Sequence, residues 1–225
     1  IVEEPSYFLA LRIFADYRLD IIGTPIDEDG LILEVLEEKL AEHRPVFLYT
    51  IPAFHNPAGV TLSADRRDKL IRLAETYDFL IVADEVYQML AYTSTPPPPM
   101  TYFDTSARVL SMGSFSKILA PGLRLGWMQA KPALLEPFIT SGYLESGGGL
   151  NPLVSGIVKS AIELGLQEAY LNFLAKTYHR RLLTLSGALH RHIPALTFAE
   201  PHGGYFIWSY LPEDMDSETL LAEAN

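Results

Sequence analysis

The chain of 225 residues contains no cysteine. That excludes disulfides, a thiolate metal site and a cysteine nucleophile. It suits a reducing compartment, and a cytoplasmic location is the expectation. Basic residues are also few: 17 Lys and Arg face 28 Asp and Glu, a net charge of −11. No basic stripe is there to release counterions, so nucleic acid is not an expected partner of this segment. No apolar run reaches the roughly 18 residues of a membrane span. No charged-then-apolar leader is read at the opening, so no membrane partner is expected either. His190 and His192, two residues apart, point to different sides of a helix, and no metal site is expected. Ser146-Gly147-Gly148-Gly149 lacks a following Lys-Ser/Thr pair and is no P-loop. What the chain does have is 48% hydrophobic residues. That is enough for one large domain, or one domain with part of another.

Short apolar runs alternate with amphipathic stretches. Strands are predicted at Ile1–Val2, Arg18–Ile22, Val46–Thr50, Phe79–Ala83, Arg108–Gly113 and Leu125–Ala130. Helices are predicted over Pro5–Tyr17, over Asp29–His43 and from the N-cap Ser63 to Tyr77, the last with Arg66, Arg67, Lys69 and Arg72 on its outer face. The continuous run Phe79–Ala83 suits a sheet buried on both faces. Thr93–Met100, with four consecutive prolines, reads as a surface loop. This alternation predicts an α/β fold, a mostly parallel sheet wrapped by helices. The pattern changes at Asn151-Pro152, an N-cap and first helical residue. Helices over Leu153–Leu164 and Gln167–His192 follow, then strand candidates Leu196–Ala199 and Tyr205–Tyr210. This tail reads as the start of a smaller α/β C-terminal domain. The expected division is 1–180 and 181–225. The chain opens without Met on a strand under way, and Ser217–Asn225 reads as a helix cut short. Both ends predict a piece of a longer protein.

Ligands of open α/β sheets bind beyond the carboxyl ends of the strands. Asn56 follows the strand Val46–Thr50. Asp84 ends the strand Phe79–Ala83, and Tyr87 lies three residues on. Ser114, Ser116 and Lys117 follow the strand that ends at Gly113. Lys117 stands out, because it sits in an apolar stretch between two serines and Arg124. A pocketed lysine can serve as nucleophile or base. Taken alone, Ser114-x-x-Lys117 also fits the serine and lysine of acyl-serine enzymes, but Ser-Asp-Asn and Lys-Thr-Gly are missing. His55 and His202 read as surface or cavity-lining loop residues.

Several motifs together resemble the fold-type I pyridoxal-phosphate (PLP) enzymes, specifically class I/II aminotransferases of the 2-aminoadipate and aromatic or branched-chain kind. They are Pro5-Ser6-Tyr7, Pro52-x-Phe54-x-Asn56-Pro57-x-Gly59, Asp84-Glu85-x-Tyr87, Ser114-Phe115-Ser116-Lys117, Pro121-Gly122-x-Arg124-x-Gly126-Trp127 and Gly203-Gly204-Tyr205-Phe206. The resemblance covers essentially the whole chain, and extends equally to the aminotransferase-like domain of certain winged-helix regulators. It implies that Lys117 holds PLP as a Schiff base and moves the proton at the substrate's Cα. Asp84 would pair with the pyridine nitrogen, and Asn56 and Tyr87 with the phenolic oxygen. Ser114, Ser116 and Arg124 would hold the phosphate, and Tyr7 would stack on the ring. Amino acid and 2-oxo acid substrates and a homodimer are implied as well. The family's N-terminal phosphate-binding turn and its carboxylate-gripping arginine fall outside residues 1–225. A PLP-binding sensor domain of a winged-helix regulator and a PLP-dependent C–S lyase are the alternative readings.

Overall fold

Neighbouring residues along the short apolar runs bury on opposite faces of one sheet, as strand geometry requires. Leu48 and Ile81 pack into a cluster with Leu36, Leu40, Leu70 and Ile71. Tyr49, next to Leu48, joins a second cluster with Ala10, Ile118 and Leu174. The computed structural model describes residues 1–149 and 151–224. In chain order, the first elements are β1 (Val2–Glu4), α1 (Phe8–Asp16), β2 (Gly23–Asp27), β3 (Gly30–Leu31), α2 (Leu33–Glu42), β4 (Phe47–Thr50) and α3 (Ala64–Tyr77). Then come β5 (Leu80–Asp84), α4 (Met100–Phe103), β6 (Val109–Ser114), α5 (Phe115–Ile118), a 3-10 turn at Pro121–Leu123 and β7 (Gly126–Gln129). The rest is mostly helical: α6 (Pro132–Ile139), α7 (Gly142–Glu145), α8 (Pro152–Glu163), α9 (Leu166–His192), β8 (Thr197–Phe198), β9 (Ser209–Tyr210) and α10 (Ser217–Ala224).

Seven strands form the main sheet in the order β3-β2-β1-β4-β5-β6-β7. Pairings β1–β2, β1–β4, β4–β5 and β5–β6 are parallel, while β3 and β7 are antiparallel edges. Helices α2 and α3 contribute Leu36, Leu40, Leu70 and Ile71 to one face. Helices α1 and α9 contribute Ala10 and Leu174 to the other. The mostly parallel sheet wrapped by helices is therefore as expected. β8 and β9 make a separate antiparallel pair. The expected division after residue 180 falls within α9.

Several local expectations shift. The strand placed at Arg18–Ile22 runs instead at Gly23–Asp27, in register with β1. Arg18 takes a left-handed φ of 57°, and Leu19 and Ile21 stay exposed. Gly23 and Pro25 look like turn residues, yet pairing with β1 overrides local propensity. The helix placed at Asp29 begins at Leu33, because Gly30–Leu31 pairs back onto β2. Helix α1 starts at Phe8. Only Thr197–Phe198 and Ser209–Tyr210 of the two C-terminal strand candidates pair. Asn225, the last residue of the predicted terminal helix, lies outside the described residues. The N-caps hold as read: Ser63 accepts from the Arg66 N–H at 3.4 Å and Asn151 from the Val154 N–H at 3.1 Å.

Arg67 is the largest correction. It is fully buried rather than on the outer face of α3. Its guanidinium donates to the carbonyls of Leu62 at 2.9 Å, Pro52 at 2.6 Å and Pro98 at 2.9 Å, and lies 3.5 Å from Glu85 Oε1. It thereby pins both ends of the loop between β4 and α3. No helix among the described residues is long and apolar enough to cross a membrane. No group of three or more His, Asp or Glu among them could hold a metal ion.

Candidate active site

Parallel strands end on one side of the sheet, so the residues just past those ends meet. Tyr7 follows β1, Asn56 follows β4, Asp84 ends β5, and Ser114, Ser116 and Lys117 sit at the junction of β6 and α5. Strand β7 runs the other way, pairing Gly126 with Ser114, so its start brings Arg124 to the same end. One cavity of about 220 Å³ is lined by Tyr7, Asn56, Asp84, Tyr87, Ser114, Ser116, Lys117 and Arg124, with Ile51 and Val86. All eight sequence-predicted site residues are thus brought together. A larger cavity of about 450 Å³ is lined by Tyr92, Tyr178, Arg181, Tyr205 and Phe206 among others. It is mostly apolar with a single charged side chain, so the smaller cavity carries the acid–base groups.

Asp84 is the electrostatic centre. The Tyr49 hydroxyl donates to its Oδ2 at 2.7 Å. Its Oδ1 is buried and has no hydrogen-bond partner among the described residues. Burial pushes the Asp84 carboxyl above its ordinary value, against the Tyr49 hydrogen bond, the Val86 N–H and the Lys117 charge, which all favour the carboxylate. Burial and the same carboxylate push the Tyr49 phenol far up. Tyr87 is raised to about 12, chiefly by burial and then by Asp84, with the Asn56 amide pulling the other way.

The polar rim is built locally. Ser114 caps α5 by accepting from the Ser116 N–H at 3.1 Å. Arg124, in the left-handed region at φ 50°, donates to Ser116 Oγ at 3.3 Å. Glu3 is buried beside His55. It accepts from the Thr50 hydroxyl at 2.7 Å and the Ile51 N–H at 2.8 Å. His55 Nε2 lies 3.1 Å from Glu3 Oε2, off the line of a hydrogen bond, and its Nδ1 accepts from the Ala58 N–H at 3.2 Å. His55 is thus buried next to the cavity wall, not a surface residue. Sequence reasoning missed Tyr49 and Glu3. Both read as ordinary strand residues, and only the strand register reveals their partners.

Residues 1–224 match the family described as Aminotransferase class I and II. The chain is 36% identical to aromatic-amino-acid aminotransferase 1 of Thermococcus litoralis, over all of this chain and 55% of that protein. Among solved structures it superposes on a multiple substrate aminotransferase from Thermococcus profundus with a TM-score of 0.92 at 37% identity, covering 99% of this chain and 57% of the other. It superposes equally on Pyrococcus horikoshii kynurenine aminotransferase, solved in complex with PMP, with a TM-score of 0.92 at 36% identity, covering 99% and 56%. The chain spans about half the length of the relatives it matches. With lysine, aspartate, asparagine and arginine at the strand ends around one cavity, and a family match from end to end, this chain belongs to the class I and II aminotransferase family.

Proposed function

We propose that the whole protein is a PLP-dependent aminotransferase, moving an amino group between an amino acid and a 2-oxo acid and holding its cofactor covalently through Lys117. The observation that carries this reading is Asp84 Oδ1, buried and partnerless, on a residue that lines the same cavity as Lys117. An orphaned buried carboxylate oxygen asks for a donor, and a protonated pyridine nitrogen is one. The other lining residues fit the remaining edges of the cofactor. Arg124 with Ser114 and Ser116 suits the phosphate, Asn56 and Tyr87 suit the phenolic oxygen, and Tyr7 suits the ring face.

When bound, PLP supplies an aldehyde that joins amines and a ring that draws electrons from the carbon beside the joined nitrogen. Asp84 would pair with the ring nitrogen and favour its protonated form. Tyr49 holds Asp84 in place by its hydrogen bond to Oδ2. Tyr87, raised to about 12, stays a neutral hydrogen-bond donor at working pH. With the cofactor in place, Lys117 would be the base that takes the proton from the substrate's Cα and delivers it to the carbon of the cofactor's former aldehyde. The relatives' names support aromatic amino acids as the donors to try first. A homodimer and a cytoplasmic location belong to the same proposal, checked by light scattering and cell fractionation.

The test uses the whole protein. Given PLP, it should gain a visible absorbance band, and borohydride should fix a pyridoxyl group on the Lys117 peptide. Lys117→Ala should lose the adduct and the amino transfer; an adduct that survives this substitution sinks the assignment. Products separate the classes. Exchange of an amino group between aromatic amino acid and 2-oxo acid supports the proposal, thiol release marks a C–S lyase, and PLP binding without turnover marks a sensor domain.

A further inference from the structure

Tyr205 reaches Lys117 through an approach that two glycines permit. A Cβ on Gly203 would sit 2.4 Å from the Leu90 carbonyl oxygen and 2.5 Å from the Phe54 ring. Gly204 holds a φ of +73°, and a Cβ there would meet Phe54 Cβ at 2.6 Å. With no side chains in the way, the backbone presses against the large sheet's periphery. The Gly204 N–H donates to the Leu90 carbonyl at 3.0 Å, Gly203 bridges Ala91, and the Tyr92 hydroxyl donates to the Gly204 carbonyl. The next side chain, Tyr205, is thereby carried over α5.

Helix α5 has four residues and cannot satisfy its last carbonyls within itself. Two of them are taken by side chains from the C-terminal half. The Tyr205 hydroxyl donates to the Lys117 carbonyl at 2.8 Å, and Gln167 Nε2 donates to the Ile118 carbonyl at 2.8 Å. The Tyr178 hydroxyl lies 3.4 Å from that of Tyr205. Tyr205 has one hydroxyl proton and gives it to Lys117, so from Tyr178 it accepts. Its ring centroid lies 6.0 Å from Lys117 Nζ and 5.5 Å from the Tyr87 ring. Tyr205 is 40% exposed, and its ring packs edge-on against Tyr87 and Tyr178. Besides this packing, it meets the lysine twice, at the carbonyl and along the side chain.

We propose that Tyr205 is a positioning residue for Lys117, fixing the lysine's peptide with its hydroxyl so that Nζ stays aimed at the reacting carbon. It acts through the lysine and not on the substrate. The proposal rests on the reading of Lys117 as the cofactor-bearing lysine, and the experiment keeps the two apart. The whole protein loaded with PLP is reduced with borohydride first. A wild type without a pyridoxyl group on Lys117 sinks the underlying reading, whatever Tyr205 does. With the adduct in hand, Tyr205→Phe removes the hydroxyl and keeps the ring. The loss of one hydrogen bond should lower kcat about five-fold, with KM, PLP affinity and thermal midpoint unchanged. Tyr178→Phe, one hydrogen bond further out, should lower kcat less. Tyr205→Leu, which also removes the ring, should lower it more and alter the pH dependence of the bound cofactor's visible absorbance. A kcat within about two-fold of wild type in Tyr205→Phe overturns the proposal. So does a fall in kcat matched by falls in thermal midpoint and PLP affinity, which would mark a strap that only holds the fold.

Discussion

Asp84 combines a cost and a use in one side chain. Burial raises its carboxyl above the ordinary value. The folded chain therefore holds this proton more tightly than the unfolded chain does, and ionisation takes stability away as pH rises above the unfolded carboxyl's value near 3.9. Asp84→Asn removes that cost while an amide oxygen can still accept from Tyr49. The variant is expected to melt higher than wild type in the cofactor-free state at pH 7, with the gain fading as pH falls towards 4, followed by calorimetry across that range. The same substitution should slow single-turnover amino transfer by up to roughly a thousand-fold, the equivalent of ~4 kcal/mol between unit charges 4 Å apart at an effective dielectric of 20. An enzyme that gains stability and loses chemistry together follows the stability–activity trade-off of strained sites. Wild-type single-turnover rates would mean that Asp84 is not the ring partner.

Among the elements, the loop between β4 and α3 shows how a buried charge can serve geometry. Burial lowers the Arg67 guanidinium to about 10 and raises the Glu85 carboxyl, so each ion alone opposes folding. Their 3.5 Å separation is long, and the three carbonyl bonds of Arg67 are shorter. The clamp on Pro52 and Leu62 therefore outweighs the ion pair as the reason for the arginine. Arg67→Met should cost about 3–5 kcal/mol, because it strands a buried carboxylate and leaves three carbonyls without their donor. It should also weaken PLP binding by slackening the loop that carries Asn56. Urea unfolding and a PLP titration measure the two effects, and adding Glu85→Leu should recover part of the stability but not the affinity. The sequence made α3 and its cap legible, since Ser63 and the apolar spacing are local signals. It hid the burial of Arg67, since two of the three carbonyls that hold it, those of Pro52 and Pro98, lie 15 and 31 residues away along the chain. Tyr49 was hidden in the same way. Only the pairing of Tyr49 with Val82 puts its hydroxyl beside Asp84, two residues further on. Asn56, Asp84 and Lys117 were legible because strand ends are marked by where apolar runs stop.

At the scale of the whole molecule, α9 ties the two halves together. Its first turn holds the Ile118 carbonyl through Gln167, Leu174 packs in the second apolar cluster, and Ser186 near its far end donates to Glu200 at 2.6 Å. Leu174→Ala should cost about 2–5 kcal/mol. Limited proteolysis should then cut the C-terminal segment before the sheet; simultaneous cleavage of both would show that α9 is not the tie. The sheet order β3-β2-β1-β4-β5-β6-β7 places the site at the ends of its central strands. Period-2 alternation there has a further consequence for Asp84 and Glu85. These two neighbouring acids face opposite sides, one lining the cavity with Lys117 and the other meeting Arg67 and the Met100 N–H. A slip of β5 by one residue would turn every side chain over, in one direction putting the glutamate where the aspartate stands, in the other putting the aspartate where the glutamate stands. The split between chemistry and scaffold is thus written as a parity along the strand. Drift by point substitution can tune either acid, but a one-residue deletion within Leu80–Ala83 would seat Glu85 at the cavity and leave Arg67 facing Val86, and an insertion would seat Asp84 at Arg67 and leave the cavity facing Ala83.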